Sequence, residues 1–149
     1  MRKRGAHIKH RAAQPPGIVC ISLDARYETR LRMSVTAFTG GFAGKDHFLD
    51  MCDTHDLLAL ANSMAARPVA GVPEACKVAE VAILNIHDRE LRTGKWGVSA
   101  DESAALVLLA DTAIRFWSAQ SGELFRVAYQ QMVQMRREER ARQVGEVAA

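Results

Sequence analysis

The sequence predicts an all-α protein, an antiparallel helical bundle of about four to five helices. Three observations carry this. Apolar residues recur every three to four positions through most of the chain, the spacing of a helix with one buried face. Glycine and proline fall between these periodic segments, at Gly40-Gly41, Pro68 and Gly94. A 44-residue stretch from Ser99 to Arg142 opens on a helix-capping signature and holds the longest apolar run. At 149 residues one domain is expected, and a chain of this size buries about 68–70% of its unfolded surface. Neither metal nor disulfide is needed to hold it together.

Residues 1–21 form a basic N-terminal arm. Arg2, Lys3, Arg4, Lys9 and Arg11 carry five positive charges with no acid among them, and Gln14-Pro15-Pro16-Gly17 follows with no apolar period. Such composition predicts a flexible segment. The other 15 basic and 17 acidic residues leave the remaining chain at −2, so the excess positive charge lies in the arm. Residues 22–149 form a single helical domain.

The first helix is expected over Ser22 to Phe38, with Leu23, Tyr27, Leu31 and Val35 on one side, ended by Thr39-Gly40-Gly41. A second, capped by Asp46, runs to about Ala66 and stops at Arg67-Pro68. The third opens on Val72-Pro73, proline being suited to a first helical turn, and closes at Gly94. Only Lys95 to Val98 separate it from Ser99, which predicts an antiparallel hairpin.

Ser99 with Glu102 fits a capping box, and Ala104 to Ala110 is apolar on every side, so the helix after Ser99 is expected to be central. A straight helix to Arg142 would be about 66 Å long, against a diameter of about 40 Å for a compact domain of this size. A break is therefore placed at Ser121-Gly122, and the Arg136 to Arg142 end is expected to project.

Three surfaces are candidates for contact. The arm, through Arg2, Lys3, Arg4, Lys9 and Arg11, suits phosphates, since each neutralised phosphate releases counterions; the alternative is a solubilising terminus. At the hairpin tip Trp96 stands beside Arg92 and Lys95, an arrangement for stacking on a base or on a partner's side chain; the alternative is a tryptophan that closes the bundle end. The amphipathic segment with Phe125, Tyr129, Met132 and Met135 suits a protein partner or a second copy, with Trp96 as a further anchor. DNA, RNA, a host protein and a homodimer are thus the candidate partners.

No catalytic residue, cofactor or small-molecule substrate is indicated. FTGGFAGK lacks the order of a phosphate-binding loop, and no nucleophile elbow or paired-histidine metal motif occurs. Cys52, His55 and Asp56 share a helix face at i, i+3 and i+4, but the pattern is read as an acidic solvated face beside a buried thiol. The odd set Cys20, Cys52 and Cys76, without CxxC spacing, is expected to be free thiols in a cytoplasmic protein. No apolar stretch approaches the ~20 residues of a membrane span.

The opening MRKRGAHIKHR, the turn RTGKWGVSADE and the following ESAALVLLADTA resemble a loosely defined group of small phage and prophage proteins of proteobacteria. Members share the basic start, the TG-containing turn and the helix after it, and some are filed as Fis-type transcriptional regulators. The resemblance implies a phage-encoded accessory or regulatory protein, with DNA binding implied by the members filed as regulators, and brings no catalytic residues. The alternative is a protein-binding module that inhibits or redirects a host complex.

Overall fold

The joints between helices are set by a few residues whose backbone conformation or side chain ends one hydrogen-bond ladder and begins the next. A computed structural model describes residues 21–147, which form α1 (Ile21–Thr39), α2 (Lys45–Met64), α3 (Val72–Thr93), α4 (Ala100–Ala119) and α5 (Gly122–Val147). There is no strand among the described residues, and the all-α bundle is as the sequence predicts. None of these helices is long and apolar enough to cross a membrane. Gly94 ends α3 in the left-handed region (φ 68°), its N–H donating to Glu90 O at 2.7 Å, a geometry that costs a Cβ-bearing residue about 1 kcal/mol or more. At the start of α3, Gly71 is also left-handed (φ 89°), and Pro73 follows inside the first turn. The loop before it is pinned by the Val69 N–H, which donates to Asn62 Oδ1 at 2.8 Å and so satisfies a nearly buried amide.

α1 runs one residue further at each end than expected, taking in Ile21 and Thr39, and both ends of α2 also differ. α2 begins two residues earlier, with Gly44 rather than Asp46 as its cap, and the His47 ring accepts the Gly44 N–H at 3.1 Å. It also ends at Met64 rather than Ala66. The break at Ser121-Gly122 is present: α4 ends at Ala119, and Ser121 Oγ accepts the Leu124 N–H at 3.2 Å to start α5.

The expectation that α4 would be the central helix is corrected in part. α4 packs on α1, α2 and α3, most extensively on α3, but α2 touches all four other helices. The AALVLLA run is not enclosed: Leu106 and Leu109 are fully buried, while Val107 and Leu108 are 38% and 43% exposed. A helix of 3.6 residues per turn cannot bury consecutive positions unless neighbours stand on every side, and α4 has three. Phe38, Phe116, Leu31, Met51, Leu58 and Ile86 complete a core to which α1 to α4 all contribute.

Candidate functional site

The hairpin tip is built by one carboxylate with two tasks. Glu102 takes the reciprocal half of the capping box: its Oε2 accepts the Ser99 N–H at 2.8 Å, and Ser99 Oγ accepts the Glu102 N–H at 3.2 Å. The same carboxylate receives both ends of the Arg89 fork, each at 2.8 Å, and Arg89 also donates to Gly97 O at 2.6 Å. Glu102 is buried, and the Arg89 guanidinium, with the Ser99 N–H behind it, holds its carboxyl below the usual range. Arg89 went unnoticed in the sequence because nothing distinguishes it there from Arg92; only the fold shows which of two arginines one turn apart turns inward.

This tie locks the tip, and Trp96 belongs to the lock. Its ring lies on Phe48, centroids 4.8 Å apart, and Phe48 in turn stacks on the exposed His87 at 5.8 Å. Half-buried against α2, Trp96 closes the bundle end with one side of its ring on Phe48. Arg92 and Lys95 remain exposed.

On α5 the expected interface is split. Phe125 sits in an aromatic cluster, edge-on to Trp117 at 5.0 Å and to Tyr27 at 6.1 Å, and parallel to Tyr129 at 6.2 Å. Met132 is 5% exposed and belongs to the core, which removes it from the interface set. The reason is α5's contact with α2, which takes up the Ala128–Met132 stripe. Tyr129 and Met135 face outward, half exposed. Nor does the projecting end begin at Arg136: that guanidinium grips Asp53 at 2.5 Å and Asp56 at 2.7 Å on α2, and the exposed segment starts one residue later.

The cleft where α1, α2 and α5 meet concentrates polar groups. Asp50 accepts from Arg30 and, at 2.8 Å, from Ser34 Oγ. Beside it lies a cavity of about 130 Å³ walled by Tyr27, Phe125, Tyr129 and Met132. Burial raises the Tyr27 phenol above its ordinary range; Thr54 and Trp117 Nε1 are close enough to temper this, but neither is aligned for a full hydrogen bond with it. Asp50 is thus ion-paired with Arg30, and Asp53 with Arg136.

No group of three or more metal-binding side chains converges among the described residues. Asp56 is shared between Arg136 and His55, whose Nδ1 lies 3.0 Å away; that hydrogen bond raises His55. Burial pushes the Cys52 and Cys76 thiols up to about 11, so both are neutral and unreactive near neutrality.

The remaining surface was not singled out in the sequence. Val78, Val81, Leu84 and Leu91 on α3 are 49%, 56%, 56% and 68% exposed. Their signal was visible as a helix apolar on its inner face and partly apolar on its outer one, a pattern a covered helix requires. Comparison of the chain with models of known families, with curated proteins and with solved structures gives no match.

Proposed function

We propose that this chain is a non-enzymatic accessory or regulatory protein of the phage and prophage kind that associates with nucleic acid through its basic N-terminal arm. The observation that carries the reading is where the positive charge is spent. The folded body is net negative, with 15 cations against 17 acids, and six of its arginines, Arg30, Arg32, Arg89, Arg126, Arg136 and Arg142, lie against its own carboxylates. The arm, with Arg2, Lys3, Arg4, Lys9 and Arg11, lies outside the described residues and holds five cations without an acid. Phosphate affinity should therefore depend on the arm and owe little to the body, with Arg92 and Lys95 at the tip as the exposed helpers.

The test is binding of duplex DNA and of single-stranded RNA to the intact chain and to one lacking residues 1–11, at low and moderate salt. Five phosphate contacts predict a slope of log affinity against log salt of about −4.5 for duplex DNA. The reading expects binding that weakens with salt and vanishes with the arm. Absence of binding at low salt, or binding that survives the deletion, overturns it.

A second reading, a protein-binding module acting on a host complex, is favoured by the aliphatic side chains exposed on α3. Salt-insensitive association that tolerates loss of the arm would distinguish it.

A further inference from the structure

The outer face of α3 carries a second periodicity that the monomer does not use. Glu74, Lys77, Val81, Leu84, Asp88 and Leu91 are spaced alternately by three and four residues, a heptad a/d seam, and all six are exposed. The inner face, through Ala75, Ala79, Ala82 and Ile86, is buried on α2 and α4. α3 thus has two seams on opposite sides, one of them covered.

We propose that the uncovered seam pairs with the same seam of a second copy, antiparallel, about a two-fold axis passing between Ala82 and Ile83. An antiparallel pair sets the a positions of one helix against the d positions of the other. About this axis the inner layers are complementary, Val81 meeting the partner's Leu84 and Lys77 the partner's Asp88, while at the outermost layer Glu74 lies beside the partner's Leu91 with the partner's Arg92 one residue away. Symmetry repeats each contact, so the centre is aliphatic and each end pairs a lysine of one copy with an aspartate of the other.

The charges select this arrangement over its alternative. A parallel pair would bring Lys77 against Lys77 and Asp88 against Asp88, a like-charge layer that destabilises. Within the chain none of Glu74, Lys77, Asp88 and Arg92 takes part in an ion pair among the described residues, whereas Arg89 on the inner side of the same helix is tied to Glu102. Charged residues at a and d positions cost stability and fix register, which is their attested use in paired helices. Next to the seam, Val78, Val81, Ala82 and Ala105 line an open groove of about 650 Å³ between α3 and α4. It gives the partner helix a second wall, and Leu108 continues the stripe of Asp101 and Ala105 by one turn along it.

α3 is 22 residues long, about 33 Å. A contact of that length between two helices falls at the small end of specific interfaces, so dimerisation in the micromolar range is expected. The isologous geometry closes at two copies. Each dimer would display two basic arms, although the pairing itself does not depend on what the arms bind.

Sedimentation velocity across a micromolar concentration series tests it, with circular dichroism confirming that each variant keeps its helices. The intact chain should pass from monomer to dimer. Lys77→Asp should weaken dimerisation by about tenfold or more, because each of two symmetry-related pairs becomes a repulsion. The double variant Lys77→Asp with Asp88→Lys should restore it, the charges having exchanged places. A monomer at every concentration overturns the proposal, as does a dimer indifferent to Lys77→Asp or a double variant that stays dissociated.

Discussion

α3 and α5 are the two longest helices, and each leaves a long face in water, but the two faces are built differently. On α5 most of the charges answer one another: Arg126 binds Glu123 and Gln130, Gln134 binds Glu138, and Gln143 and Arg142 both turn to Glu139. Between them the exposed apolar side chains are few, chiefly Tyr129, Met135 and Val144. On α3 the outward charges have no partner on their own helix and alternate with valine and leucine. Valine is a poor helix former beside alanine, by several tenths of a kcal/mol, so its place on an exposed face is a cost that helix formation does not explain. A face whose charges are satisfied locally is suited to solvent; one whose charges match only across an antiparallel copy is suited to contact.

The contrast can be broken at its two anchors. On the inner side of α5, Met132→Ala should lose about 2–4 kcal/mol of folding stability, whereas Met135→Ala, one turn on and half exposed, should stay within about 0.5 kcal/mol. Urea unfolding of the two variants measures the difference. At the hairpin, Glu102→Ala removes the cap and strands the Arg89 guanidinium, for an expected loss of about 2 kcal/mol. Glu123→Ala, which breaks a shorter but exposed pair on α5, should leave the unfolding midpoint in place.

The smallest expected effect is a pH dependence. The hydrogen bond to Asp56 raises His55, so its stabilisation is complete below the unfolded histidine value of about 6.5 and is lost as pH rises through the higher folded value. Burial opposes ionisation of Asp56, yet His55 and Arg136 together hold it low, and Glu102 is held low by Arg89. Those two contributions are present above the ordinary carboxylate range and are lost as pH falls through the lower folded values. The urea midpoint should therefore fall slightly from about pH 6 to pH 8, and His55→Gln should flatten that slope.

Much of the fold was legible in the sequence because its signals are local. The capping box at Ser99, the left-handed end at Gly94 and the break at Ser121 each depend on residues within one turn. What was not legible depends on which helix lies beside which. The run Ala104 to Ala110 showed hydrophobicity but not the number of neighbours, so the exposure of Val107 and Leu108 went unforeseen. Met132 and Met135 are alike in sequence, and only contact with α2 separates core from surface. Trp96 at a basic turn suggested a stacking platform, and nothing local pointed to Phe48, 48 residues earlier, on one side of its ring. The outer seam of α3 was present in the spacing all along, but it gains meaning only once the inner seam is seen to be covered.

The most direct test of the contrast sets one charge reversal on each helix side by side. Lys77→Asp on α3 and Arg126→Asp on α5 change the net charge equally and touch only exposed side chains. Measured by sedimentation at micromolar concentration, the intact chain and Arg126→Asp should both be dimeric and Lys77→Asp largely monomeric. Equal behaviour of the two variants, or dissociation by Arg126→Asp alone, would contradict the assignment of α3 as the contact face.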